Sequence, residues 1–427
     1  MASTLLPEPD RQLYGRNGRL ASLVLTRPPG RPGGEITGGD GPADSARIVS
    51  RSVILRTVLT RTTVLRLLLG WGSFAALLAL APLLGFHPPA SVLWPTLAAI
   101  VAVIVVCAFG VVTEAEHLAH RLGDPYGTLV LTLSIAAIEV ILISAVMLGP
   151  GEHPTIARDS VMAVSMIIMN LVIGVALVVG GIRHPRRRAN RAGVFAYLGV
   201  LTVLLVVAFA FPAFFDAGGA YPRPVAIAAI VLVVLLYGFF LARQMGVRKV
   251  DFQEVGSEPD AGAAAPSSSV ARVLVAHRSE IVARTLLLVA LALPIVLLSH
   301  DMATLLDEGL GRLGAPVTLS GVLIAMIVFL PETITTVRAA WGGEMQRVSN
   351  LCHGALVSTA GLTIPAVLTI GLLTGQTVVL AESPANLVLL ALTLLLTAVT
   401  FTGRRVTALH GAPHLVLFLL YGFVVFL

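Results

Sequence analysis

The stretch Leu129-Val130-Leu131-Thr132-Leu133-Ser134-Ile135-Ala136-Ala137-Ile138-Glu139-Val140-Ile141-Leu142-Ile143 carries one charge, Glu139, and no other charged residue lies between Pro125 and Gly151. An apolar run of this length matches the thickness of a bilayer core when helical. A carboxylate in hydrocarbon costs several kcal/mol, so its presence marks an ion or proton pathway. The second half holds a counterpart, Leu323-Ile324-Ala325-Met326-Ile327-Val328-Phe329-Leu330-Pro331-Glu332-Thr333-Ile334-Thr335, with its own carboxylate, Glu332. Downstream of each glutamate the same pattern returns, Asn170-Leu171-Val172-Ile173-Gly174 and Asn350-Leu351-Cys352-His353-Gly354.

The rest of the chain suits that setting. Of its 427 residues 56% are hydrophobic and 12% charged, and the mean hydropathy is +0.91. A soluble domain of this size would lack the polar residues to cover its surface. The apolar stretches are helix-length rather than the short alternating segments of an outer-membrane barrel. This predicts an all-α integral membrane protein. Cys107 and Cys352 both fall in apolar stretches and read as small hydrophobic side chains rather than as a disulfide or metal pair.

Spans are expected at 67–86, 91–112, 127–148, 160–182, 192–215 and 225–242, then at 281–299, 317–337, 351–374, 385–402 and 412–427. Residues 1–65 read as a disordered basic cytoplasmic tail, 66–242 as a first membrane half, 243–280 as a cytoplasmic linker and 281–427 as a second half. Lys and Arg test this arrangement. With the N-terminus inside, the inner segments hold 25 of the 29 basic residues, and the outer loops hold only Arg158, Arg223 and Arg312. That split follows the positive-inside rule and puts the C-terminus outside. The net charge of +6 therefore reads as a topology signal and not as a nucleic-acid surface. The two glutamate helices then run in opposite directions, as in the inverted repeats of secondary transporters. One extra helix and two five-helix repeats account for eleven spans. Without a Walker-type phosphate loop, transport is expected to run on an ion gradient.

A hard cation takes oxygen ligands. Glu139, Glu332, Asn170 and Asn350 are the expected set, with Ser358 and Thr359 as further donors. Thr132 lies two turns before Glu139 on one helix face, and Thr335 and Thr336 follow Glu332 at one turn. Pro331 cannot donate its backbone hydrogen bond, which leaves the Ile327 carbonyl free for a cation. Two carboxylates neutralise one divalent cation or hold two protons, and that competition is a physical basis for exchange. Glu114, Glu116, His117 and His120 read as a solvated helix end, with a cytoplasmic ion-entry or gating role as the sharper option. His353 reads as a packing residue. Asp251, Glu254, Glu258 and Asp260 read as a solvated linker.

At these residues the chain resembles the calcium/cation antiporter superfamily, and within it the bacterial proton-coupled calcium exchangers. The likeness spans roughly 65–427 and is carried by Ala115-Glu116-His117-Leu118-Ala119, by Gly123-Asp124-Pro125-Tyr126-Gly127-Thr128-Leu129 through Glu139, and by Gly180-Gly181-Ile182-Arg183-His184. In the second half, Leu330-Pro331-Glu332 through Asn350 and Gly361-Leu362-Thr363-Ile364-Pro365-Ala366-Val367 carry it. The resemblance implies an exchanger whose two repeat glutamates take cation and proton in turn, in a cell membrane, without a cofactor. Many relatives have Gly and Asn just before each glutamate, where this chain has Ile135, Ala136, Val328 and Phe329, and Ala355 stands where serine is common. The bacterial branch looks similar here and is associated with sodium or potassium as well as calcium. The expected function is Ca2+/H+ antiport. Na+ or K+/H+ antiport is the alternative, followed by a membrane enzyme or sensor.

Overall fold

The computed structural model describes residues 59–84, 88–122, 126–148, 154–185, 188–215, 217–254, 277–316, 318–403 and 406–426. These all belong to one compact unit, Arg51–Leu427. Most of the basic tail, the linker acids Glu258 and Asp260, and residues 123–125 lie outside the described residues.

The described residues are almost entirely helical. In order the helices are α1 (Arg61–Leu84), α2 (Ala90–Leu122), α3 (Tyr126–Leu148), α4 (Ile156–Arg183), α5 (Arg191–Phe214), α6 (Arg223–Met245), α7 (Arg278–Arg312), α8 (Thr318–Val328), α9 (Leu330–Gly342), α10 (Met345–Thr374), α11 (Pro384–Thr402) and α12 (Ala408–Val425). Among the described residues nine helices are long and apolar enough to cross a membrane, or ten with the α8–α9 pair as one span. The remaining expected span corresponds to α3, with its apolar run at Thr132–Ile141. Three spans depart from regular α-helix, among them α5, which has a π-turn at Val206–Ala210 and a 3-10 turn at Phe211–Phe214. α4 widens into a π-turn at Ile167–Val172. The expected span 317–337 is broken at Phe329 and bent by 55°. Pro331 therefore sits in the first turn of α9, where its missing N–H costs no helical bond, rather than in a helix interior. The expected span 281–299 is longer, because α7 continues to Arg312 through an Arg312–Glu308 pair at i,i+4.

Contacts group the helix ends into two sets. At one end His184 Nε2 lies 3.0 Å from the Trp341 carbonyl, Asn190 N donates to Gln346 Oε1 at 2.6 Å, and Asn350 Nδ2 donates to the Phe252 carbonyl at 2.7 Å. At the opposite end Val379 N donates to the Pro154 carbonyl at 2.8 Å, and Arg158 Nη1 donates to the Ala381 carbonyl at 3.1 Å. Glu382, in the same connection, is buried beside Arg158, and burial pushes its carboxyl above the ordinary range. α4 therefore ends where α10 begins and begins where α10 ends. The two helices are antiparallel.

Packing repeats the relation. α10 lies against α3 and α6, while α4 lies against α8–α9 and α12, the elements in the same places of the other half. α2 and α7 pack along each other. Apolar side chains gain little from meeting each other in lipid, so close backbone approach matters more. Gly411 on α12 abuts the Gly174 carbonyl on α4, and a Cβ there would clash with backbone. α9 ends at Gly343 with φ of 80°, a left-handed cap that glycine adopts freely. The outward faces of α6 and α7 expose Leu232, Leu235, Phe239 and Leu286, as a lipid-facing surface requires.

Two expectations are corrected here. Glu114 is not solvated. It is buried and accepts a 2.8 Å bond from Arg284 Nη1 across the α2–α7 contact, and Arg284 also holds Glu280 at 3.1 Å. The linker acids are not uniformly solvated either. Glu254 Oε2 accepts from Gln346 N at 2.9 Å, placing a carboxylate on the first turn of α10, where the helix dipole favours it. The segment before it folds inward, with Phe252 buried edge-on to Tyr197 at 5.2 Å between ring centres. Asp251 does stay at the surface side, bonded to Arg248 at 3.3 Å.

Candidate functional site

Each half contributes one buried carboxylate. Glu139 sits in the interior of α3, 6% exposed. Its Oε2 accepts a 2.6 Å hydrogen bond from Thr359 Oγ1 on α10, and its Oε1 has no partner. The α3–α10 contact makes this bond, so a first-half acid is held by a second-half hydroxyl.

Glu332 follows the break between α8 and α9 and is 4% exposed. A helix start attracts negative charge, and the break brings that start into the protein interior. Neither Glu332 oxygen has a partner. Glu332 borders a small cavity with Thr333, Thr336, Cys352, Phe329, Ile168 and Val172. Ile168 and Val172 belong to the π-turn of α4, and such turns recur at functional sites because they reshape the local backbone. The charges of Glu332 and Glu139 are near enough to interact.

Three carboxylate oxygens in a dry interior without partners require compensation, by a cation or by protons. Among the described residues no three His, Cys, Asp or Glu side chains cluster as a metal site. A cation here would rest on the two carboxylates with hydroxyl and backbone oxygens. That donor set suits a hard cation bound reversibly as cargo.

The other expected residues divide. Thr359 meets Glu139, and Thr336 lines the Glu332 cavity. Thr335 is buried one turn beyond Glu332. Thr132 is buried and bonds the Leu129 carbonyl at 3.1 Å, and Ser358 accepts from Tyr237 Oη at 3.1 Å. Asn170 Nδ2 donates to Thr393 Oγ1 at 2.8 Å, and its Oδ1 lies 3.3 Å from His414 Nδ1. Asn350 is bonded to Gln346 at 2.8 Å and to the Phe252 carbonyl. It lies nine residues before Thr359, about 13 Å along the helix. Glu116 is half-buried on α2 and His117 is exposed. His353 packs as expected, stacked on Tyr197 at 5.8 Å.

Sequence reasoning missed Thr333 and Cys352, which border the Glu332 cavity. Thr363 is buried with an unpartnered hydroxyl one turn past Thr359.

A polytopic helical fold with carboxylates buried between its halves defines a carrier of cations. The chain belongs to the sodium/calcium exchanger protein family, matched over residues 92–246 and 284–427. It is similar to the sodium-potassium/proton antiporter ChaA of Escherichia coli (strain K12), 31% identical over 327 residues covering 75% of this chain and 85% of that protein. It is similar also to y4hA of Sinorhizobium fredii (strain NBRC 101917 / NGR234), 36% identical over 323 residues covering 73% and 83%. Its fold resembles the crystal structure of the Ca2+/H+ antiporter protein YfkE with a TM-score of 0.59 at 15% identity, covering 86% of this chain and 98% of that one. The protein is a multi-pass membrane transporter of the cation-exchanger type, not an enzyme.

Proposed function

We propose that the chain is a cation/proton antiporter in which Glu139 and Glu332 take a cation and protons in turn, with Ca2+ as the cargo. The observation that carries this reading is the pair of buried carboxylates with three unpartnered oxygens. One divalent cation balances both charges, and protons balance them when it leaves. Exchange follows because the site is stable only when filled by one or the other.

Alternating access is supported by the antiparallel α4 and α10, each packed on the glutamate-bearing element of the other half. We assign α1 as the extra helix and α2–α6 and α7–α12 as two inverted repeats, with 243–280 as the linker between them. The basic residues favour a cytoplasmic N-terminus and an external C-terminus in the plasma membrane. The likeness to a sodium-potassium/proton antiporter at 31% identity favours a second reading with Na+ or K+ as cargo.

Everted vesicles energised to an acid interior decide between them. Added Ca2+ should collapse the proton gradient. A collapse with Na+ or K+ alone selects the second reading, and no response to any of the three rejects antiport.

A further inference from the structure

The Glu332 cavity contains a donor that hard-cation chemistry does not use. Cys352, 2% exposed, lines it together with Glu332, Thr333 and Thr336. Both Glu332 oxygens are buried without partners, and the Thr336 hydroxyl lies against the thiol with no oxygen or nitrogen partner. Cys352 on α10 and Glu332 and Thr336 on α9 thus border one small cavity. The other cysteine has no such company, since Cys107 is buried with its Sγ 3.6 Å from the Arg66 carbonyl.

Thiolate sulfur prefers soft and borderline metals, and carboxylate with hydroxyl serves them as co-ligands. We propose that Cys352 and Glu332 together bind a soft divalent cation, Cd2+ or Zn2+, so that Cys352 sets how the transporter discriminates such metals from its hard cargo. On binding, the metal takes the sulfur lone pair and the thiol proton passes to solvent. The carboxylate supplies the second negative charge, so the bound metal is neutralised within the cavity. This rests on reading the Glu332 cavity as a cation site. It predicts that soft metals occupy the same space as the cargo and block exchange.

The test is direct binding to the purified full chain in detergent. Titration with CdCl2 should produce the ultraviolet charge-transfer band of a cadmium thiolate. The band should persist in Cys107→Ser, vanish in Cys352→Ala and in Cys352→Ser, and need at least tenfold more Cd2+ in Glu332→Gln. Absence of the band from the unmodified chain overturns the proposal, as does its survival without Cys352 or an unchanged Cd2+ affinity in Glu332→Gln. Because the readout is binding, it separates from the antiport reading. A chain that shows the band but exchanges nothing in vesicles refutes antiport and leaves the soft-metal site standing.

Discussion

Thr359 on α10 donates its hydroxyl to Glu139 Oε2 on α3 at 2.6 Å, joining residues 220 positions apart in sequence. The bond crosses from one half of the chain to the other at the depth of a buried carboxylate. Any movement of α10 against α3 must therefore stretch or exchange it.

A hydrogen bond to a charged group contributes about 1.5–3 kcal/mol, so its removal should change apparent cation affinity by about 10- to 100-fold. Thr359→Val is expected to show that shift in vesicle exchange, while Thr359→Ser keeps near-normal affinity. Equal behaviour of the two variants would mean that the hydroxyl plays no part in the site.

The glutamates make the sharpest test. Glu139→Gln and Glu332→Gln should each reduce proton-coupled exchange to background while the protein still inserts and folds. Glutamine keeps the size and one oxygen, yet it neither releases a proton nor balances the cation. A structural role predicts the reverse, since deleting a buried charge removes its desolvation cost. Glu116→Gln, on the half-buried flank of α2, should retain exchange and alter mainly its affinity or pH dependence. Near-normal exchange in either repeat variant ends that glutamate's assignment.

Glu114 and Arg284 form a buried pair at 2.8 Å, with side chains 5% and 10% exposed. Removing one partner leaves an uncompensated buried charge, at a cost of about 3–5 kcal/mol, whereas replacing both with apolar residues is often neutral. Arg284→Met alone should lower the unfolding temperature in detergent, and Glu114→Leu with Arg284→Met should recover it. A double variant no better than the single one would mean that the helices depend on something other than charge pairing there.

Orientation can be read by cysteine labelling. Arg188→Cys should react from the cytoplasmic side and Pro154→Cys from the external side. Labelling of both from one face would contradict the opposite directions of the two repeats.

The fold was largely legible in the sequence because hydropathy and basic residues report on local surroundings. A span such as 225–242 needs no partner to be recognised. Both glutamates were legible for the same reason, since a charge inside an apolar run is conspicuous wherever the run packs. What stayed hidden depends on contacts between distant elements. Nothing near Glu139 announces Thr359, and the Arg284 partner that buries Glu114 lies 170 residues away. The bend at Phe329 was half legible. Pro331 signalled a disturbance, but whether the helix kinked or restarted depended on the packing of α8 and α9 around it. The bonds of Asn170 to Thr393 and of Asn350 to Phe252 were not legible at all. A repeated motif records position in the repeat, not which neighbour each amide meets.

The segment ending at Glu254 is bonded to α10 through Gln346 N, and Phe252 is seated beside Tyr197. The linker thus grips the start of α10 through bonds made by residues ahead of 255. A chain cut between residues 255 and 276 is expected to keep these bonds, since each is made by residues outside that stretch.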